Sequence, residues 1–417
     1  MKSLPPRILL VEPEGGGHHF VPHGALLLRA LRSVGVDAAL MTTRTARAHP
    51  ALTELESMVG APCELWDMPE IPGFGGGSVF HLAWAQFRYW RAVRAGFRRQ
   101  RRSRAPDLCI LLGLDSVDRA IAALGNPFGR TPFVGLTIQT KHHWPEFGIG
   151  PGGRNASLNR ATFDRVLARR DCLGIATIDQ TLVEYQLRHG RAAHKLRHVP
   201  DPGEVVRKIP RDQARADMVM PVDAPVILVY GGLDDRKNVG PLLRAAAAAA
   251  SAPTVVLAGV VDDEVYALAY SPEWQALEAA GRLRIENGFV TLEREARLFA
   301  AADVAWVGYR ADFNGHSAVI PQAASVGVPV LGRRGGLIGT TIEAHELGLT
   351  LDPLDSARVS AAIDELAMAR RDGRYAQALA RFAASRSHLA YGAAWLAALA
   401  DWHEPIRAQI ANSPTRT

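Results

Sequence analysis

Short apolar runs closed by glycine, proline or aspartate alternate with stretches of helical spacing, and this alternation occurs twice. In the first series "RILLV" (7–11), "VDAALMTT" (36–43), "DLCILLG" (107–113), "PFVGLTIQ" (132–139), "CLGIATID" (172–179) and "LRHVPDP" (196–202) read as strands. Helices are expected between them at "HGALLLRALRSVG" (23–35), "DSVDRAIAALG" (115–125) and "QTLVEYQLRHG" (180–190). The proline- and charge-rich segment 201–220 reads as a linker. The rhythm then restarts with strands at "PVILVYGG", "PTVVLAG", "VAWVGY" and "VPVLGR" and helices at "NVGPLLRAAAAAA", "EREARLFAAAD" and "HSAVIPQAASVG". Strand, helix, strand in repetition demands a parallel sheet covered on both faces. A chain of 417 residues exceeds what one core usually holds, roughly 250–300 residues. The fold class is therefore α/β, with two doubly wound domains. One spans 1–200, the linker 201–220, the second domain 221–385, and 386–417 holds a helix ("HLAYGAAWLAALADWHEPI") that crosses back, then a tail.

Composition removes several classes. The three cysteines, Cys63, Cys109 and Cys172, have no CxxC pairing, which argues against a disulfide framework or zinc site. No window approaches the roughly 20 apolar residues of a spanning helix, so a cytoplasmic location is expected. The net charge of +6 favours anionic partners without choosing among them. Much of the excess lies in "RYWRAVRAGFRRQRRSR" (88–104), where Ala83, Phe87, Trp90, Val93 and Phe97 form an apolar stripe with arginines around it. That pattern suits a solvated helix packed on the sheet. Its sharper use is peripheral contact with an anionic membrane or a polyprenyl-phosphate acceptor. No nucleic-acid module accompanies the charge.

"EGGGHHFVPHG" (14–24) joins the first strand to the first helix. Gly15 and Gly17 fit the first two positions of a dinucleotide fingerprint, but Phe20 stands where close helix–strand packing requires glycine. No GxxxxGK[ST] run exists, which removes a P-loop. Three adjacent glycines, Gly15, Gly16 and Gly17, instead offer backbone N–H groups beside a helix start, a setting for anionic groups.

A second glycine loop agrees. "VYGGLDDRKNVGPLLRAA" places Gly231 and Gly232 at a strand end with Arg236 and Lys237 soon after, and "ADVAWVGYRADFNGHSAVIPQAASVGVPVLGRRGG" follows. Together these resemble the C-terminal half of GT-B glycosyltransferases, especially the large retaining family numbered four. There the loop reads G-R-L-x-x-x-K-G and the later segment E-G-F-G-x-x-x-x-E-A-x-A-x-G-x-P-V. The resemblance covers most of residues 221–355. It implies two Rossmann-like domains facing a cleft. It also implies that Lys237 contacts the donor diphosphate, Arg236 supplying the charge lost where Gly232 replaces the motif's arginine. The family's paired glutamates fall on Asn314 and Gln322, which leaves the pocket two units more positive; Gln322 takes the place of the glutamate that holds the nucleotide ribose. Gly315, His316 and Ser317 precede the phosphate helix, expected to start near Ser317 with the amides of 317–320 free, and "GVPV" is intact at Gly327–Val330.

The resemblance thus implies a glycosyltransferase moving a sugar from a nucleoside-diphosphate donor, UDP- or GDP-linked, to an acceptor hydroxyl with retention. No Asp-x-Asp pair is present to hold a metal, and no cofactor is expected. In inverting relatives a first-loop histidine is the base, a role His19 would take here in "HHFVP", whereas His18 reads as an exposed loop histidine. His142 and His143 follow a strand end where relatives carry acceptor-side residues; Gln139 or Thr140 also fits that place. The acceptor is a glycan, a lipid-linked sugar or a small molecule. Two other readings remain: a non-hydrolysing nucleotide-sugar epimerase, and a GT-B fold retained as a binding or scaffold protein after loss of the glutamates.

Overall fold

The computed structural model describes residues 5–14, 19–71, 79–100, 105–153 and 155–413. The chain forms two compact units: Met1–Phe147, Pro151–Pro200 and His388–Thr417 make the first, Gly148–Gly150 and Asp201–Ser387 the second. Among the described residues no helix is long and apolar enough to cross a membrane.

The first unit is a seven-stranded sheet of β1 (Arg7–Val11), β2 (Asp37–Thr42), β3 (Glu64–Asp67), β4 (Leu108–Leu111), β5 (Phe133–Thr137), β6 (Cys172–Thr177) and β7 (Leu196–His198), in the order β3-β2-β1-β4-β5-β6-β7. Every pairing is parallel, with Ile8 beside Ala38 on one side and Leu108 on the other. "RILLV" and "LCIL" are buried throughout, as strands covered on both faces must be. Ile8 and Leu10 pack with Leu27, Leu28, Leu31 and Trp395, and Leu9 and Val11 with Tyr89, Val93 and Phe97. Helix His388–Trp402 lies on helix Leu26–Ser33, and His23 Nδ1 meets Tyr391 OH at 2.9 Å, so His23 is part of the core.

Helix Val79–Gln100 is formed, but the stripe is rotated from the sequence expectation. Ala83 is exposed and Phe87 and Trp90 are half-buried, whereas Ala85, Gln86, Tyr89, Ala92, Val93 and Phe97 face inward. Tyr89 escapes an apolar count because its hydroxyl reads as polar while its ring carries the burial. Arg101, Arg102 and Arg104 lie outside the described residues.

The second unit is a six-stranded parallel sheet of β8 (Val226–Tyr230), β9 (Thr254–Gly259), β10 (Leu283–Asn287), β11 (Val304–Val307), β12 (Val330–Arg333) and β13 (Gly348–Leu351), in the order β10-β9-β8-β11-β12-β13. β3, β10 and β13 had no counterpart in the sequence reading. All three are edge strands, and "ELWD", "LRIEN" and "GLTL" lack the continuous apolar run that double-sided burial imposes.

Segment 201–220 is not an open linker. It holds helix Arg211–Asp217, and Arg215 is 1% exposed. Arg215 Nη2 donates to Asp303 Oδ2 at 2.5 Å, its Nε to Ala301 O at 3.0 Å, and its Nη1 to the carbonyls of Pro221, Val222 and Ala224. Asp303, also buried, accepts from Arg211 Nε and from the first amide of β8, Val226 N. A buried guanidinium needs such a full set of acceptors, and composition alone does not reveal it.

Within each sheet the strand order reverses once, between β1 and β4 and between β8 and β11. Doubly wound sheets bind ligands outside the carboxyl ends of the strands at that reversal. The loops leaving β1 and β4, and β8 and β11, are thereby singled out.

Candidate functional site

At the reversal in the second sheet, β8 ends on Tyr230 and the chain turns at Gly231, whose φ of +97° disfavours any side chain. A short turn, Asp235–Lys237, brings Lys237 back beneath the strand ends. Lys237 is 3% exposed. Its ammonium donates to Tyr230 O at 2.7 Å and to Tyr309 OH at 2.5 Å, and lies 4.7 Å from the Tyr309 ring centroid. The loop after β11 closes the arrangement. Tyr309 OH contacts Ser317 Oγ at 3.0 Å, Trp306 Nε1 donates to Lys237 O, and Asn238 Nδ2 donates to Gly308 O. Two loops distant in sequence are thus stitched through one buried cation, which keeps a third N–H available for an oxygen ligand.

Arg236 has a different setting. Its side chain is 45% exposed, its Nε donates to Asp234 Oδ1 at 3.0 Å, and its guanidinium lies 5.5 Å from the centre of the Phe313 ring. Arg310 is paired with Asp235 and Asp312. The carboxylates of the loop therefore offset its cations. The pocket is not the purely cationic one expected from Arg236 and Lys237, since Arg236 already has a local partner and only Lys237 is enclosed.

Ser317 is buried, but the helix begins at Val319 and Ser317 does not cap it. Its hydroxyl is turned to Tyr309, and Ile320 N donates to Ser317 O. The expectation that all amides of 317–320 are free fails at Ile320 because a tight turn precedes the helix. Asn314 and His316 are half-buried; Asn314 O accepts from Leu337 N, and Gly315 adjoins the Phe313 ring.

Gln322, one turn into that helix, donates from Nε2 to Glu295 Oε2 at 3.0 Å, and Tyr230 OH donates to the same oxygen at 2.6 Å. Burial and the Glu295 charge push the Tyr230 phenol well above its ordinary value, so it stays a donor. Glu295 thus places a carboxylate against Gln322. Glu295 sits among apolar side chains on helix Leu292–Ala301, four positions before Phe299. An acid on an apolar face was the sequence signal that would have found it.

In the first unit, Gly15, Gly16, Gly17 and His18 lie outside the described residues. So does the His19 side chain, although its backbone begins a π-helical turn, His19–Ala25. The loop after β4 is well defined. Asp115 accepts from Ile138 N at 2.6 Å, Gln139 N at 3.1 Å and the Thr137 and Thr140 hydroxyls, fixing the loop that leaves β5. Neighbouring Asp118 accepts from Gln86 Nε2 and Arg119 N. Burial first, and the Asp115 charge second, raise its carboxyl from 3.8 to about 6.

His142 and His143 are both buried. His143 Nε2 meets Asp179 Oδ2 and Thr181 Oγ1 at 3.0 Å each, and Trp144 Nε1 donates to Asp179 as well. His142 packs between Phe163 and Tyr185, and burial lowers its pKa to about 4. The aromatic partners arrive from remote segments, which the dipeptide alone does not reveal.

No protein-family model matches the chain, and no curated protein matches it in sequence. Solved structures do. Sucrose-phosphate synthase from Thermosynechococcus elongatus superposes with a TM-score of 0.67 at 18% identity, over 98% of this chain and 100% of that one. The fold is GT-B. Anabaena HepE in complex with UDP and glucose matches with a TM-score of 0.61 at 18% identity, over 94% and 98% of the two chains. A proposed UDP-N-acetylglucosamine 2-epimerase from Listeria monocytogenes matches with a TM-score of 0.61 at 14% identity, over 95% of each chain. At these identities the likeness is one of architecture.

Proposed function

We propose that this GT-B chain is a glycosyltransferase that moves a sugar from a nucleoside-diphosphate donor to an acceptor hydroxyl, with the second unit holding the donor and the first the acceptor. The observation that carries the reading is Lys237, buried at the carboxyl end of β8 with one N–H uncommitted among the described residues. HepE, of the same fold, takes UDP and glucose. Transfer breaks the bond between the anomeric carbon and the diphosphate oxygen and forms one to the acceptor oxygen. Negative charge then builds on the departing oxygens. A fixed ammonium there acts on the transition state more than on the ground state. Arg236 adds a second, mobile cation once the ligand competes with Asp234.

Retention is the stereochemical course we assign, from the order of Lys237, Gln322 and the "GVPV" segment. In that course the acceptor proton passes to the leaving phosphate oxygen, and no metal ion takes part. His19 is the base of the inverting alternative. Gln322 reads the donor ribose, with Asn314, Gly315, His316, Ser317, Gly231 and Gly232 around the diphosphate. From their sequence pattern alone, Gly15, Gly16 and Gly17 are assigned to the donor as well. A glycan, a lipid-linked sugar or a small molecule accepts it, and the arginines of 88–104 suit an acidic headgroup.

Epimerisation of the nucleotide sugar is the second reading, favoured by Asp118, whose carboxyl exchanges its proton near pH 6 at the first unit's strand reversal. A donor screen decides. Purified protein is incubated with UDP- and GDP-sugars and an acceptor mixture, and free nucleotide and product mass are followed. Nucleotide release with a matching mass gain on an acceptor supports transfer; an epimeric nucleotide sugar without release favours the second reading. Absence of both, with no nucleotide bound, returns the fold to a scaffold.

A further inference from the structure

The amide of Gln322 has two unlike ends, and only one is engaged within the protein. Its Nε2 is spent on Glu295 at 3.0 Å, while Oε1 accepts no hydrogen bond among the described residues. An ionised carboxylate only accepts, so it settles which end of the amide faces it. Tyr230 donates to the same oxygen from the other side. The result is that Tyr230 and Gln322 both donate to Glu295, and the Gln322 carbonyl is left without a donor among the described residues.

Glu295 is costly where it stands. It is 7% exposed on an apolar helix face beside Ala296 and Phe299, and burying a carboxylate is unfavourable without a return. Packing of that face needs no acid.

We infer that Glu295 is a positioning residue that locks Gln322 as a pure acceptor, making the site selective for a ligand with a free ribose diol. This deepens, and rests on, the reading of the second unit as the nucleotide site. Selectivity then comes from two side chains acting together: Glu295 sets the direction, and Gln322 Oε1 accepts from a 2′- or 3′-hydroxyl.

Charge swapping tests it. Dissociation constants are measured by calorimetry at pH 8 for whichever of UDP and GDP binds, and for its 2′-deoxy and 3′-deoxy analogues. The proteins are the wild type, Glu295→Gln, Gln322→Glu and the double swap, each shown to be folded at the assay temperature and with its melting profile recorded. The wild type should prefer the ribonucleotide over the weaker deoxy analogue by about three- to tenfold. Glu295→Gln, of nearly the same volume, frees the amide to turn, and the preference should fall below about twofold. Gln322→Glu sets two carboxylates in contact, so it should weaken binding about tenfold at pH 8 and recover as the pH is lowered and the pair takes up a proton. The double swap should regain both affinity and preference. A merely structural Glu295 would alter melting while leaving the ribose preference intact.

An unchanged preference in Glu295→Gln, or tighter binding in Gln322→Glu alone, overturns the inference while the nucleotide site stands. Failure of the wild type to bind either nucleotide overturns the site and the inference with it.

Discussion

Asp118→Asn should stabilise the protein, and only above a definite pH. The Asp118 carboxyl is raised from 3.8 to about 6, chiefly by burial and then by Asp115. A carboxyl that holds its proton more tightly when folded contributes stability that is fully present below about pH 4. That contribution is lost as the pH rises through about 6, where the folded state must ionise it. The shift is 6 − 3.8, about 2 units; at 1.36 kcal/mol per unit this is ~3 kcal/mol, an upper figure. Asparagine matches the neutral acid in shape, and its Oδ1 still accepts from Gln86 Nε2 and Arg119 N, which now contact Asp118 Oδ1 at 2.9 and 2.7 Å. Urea unfolding of wild type and Asp118→Asn, followed by circular dichroism at pH 4 and pH 8, measures the difference. The two should unfold alike at pH 4, with the variant more stable at pH 8 by up to ~3 kcal/mol. A variant no more stable at pH 8 than at pH 4, relative to wild type, would refute the reasoning. Asp115→Asn should move the same transition part of the way, since it removes the smaller cause.

Asp303→Ala strips Arg215, Arg211 and the Val226 amide of an acceptor and should cost ~3–5 kcal/mol in denaturant unfolding, with Asp303→Asn milder. Gly259→Ala would place a methyl 1.9 Å from Gly231 O at a φ of +136°, so a loss of at least ~2 kcal/mol is expected, read as a lowered melting temperature. Tyr309→Phe removes the hydroxyl shared by Lys237 and Ser317, and nucleotide affinity should fall about fivefold in calorimetry. Chelation with EDTA should leave nucleotide release from the donor unchanged; abolition that added magnesium or manganese reverses would contradict the metal-free course.

Central strands were legible because burial on both faces writes a continuous apolar run, as in "RILLV" and "VILVY". β3, β10 and β13 were not, since an edge strand shares its pattern with loops. The helix Arg211–Asp217 was hidden by its own composition: a segment rich in arginine and proline reads as solvated until Asp303 is seen to bury Arg215. At the site, spacing after a strand end marks the neighbourhood of Lys237 and Ser317, because a turn of fixed length fixes what returns to the strand. It says nothing of partners from elsewhere. Tyr309 lies 72 positions from Lys237, and Glu295 27 from Gln322. These pairings belong to topology, and only Glu295 carried a local hint, as an acid on an apolar helix face. His142 and His143 illustrate the converse, where a polar pair in a loop proves to be enclosed by aromatic residues.

The most direct measurement is calorimetric titration of UDP and GDP into wild-type protein and Lys237→Met, with melting curves confirming that both are folded. The account predicts that one nucleotide binds the wild type and that the variant binds it about tenfold to a hundredfold more weakly, the loss of a charge-assisted contact to phosphate. Equal affinity in the two proteins, or no binding to the wild type, would contradict it.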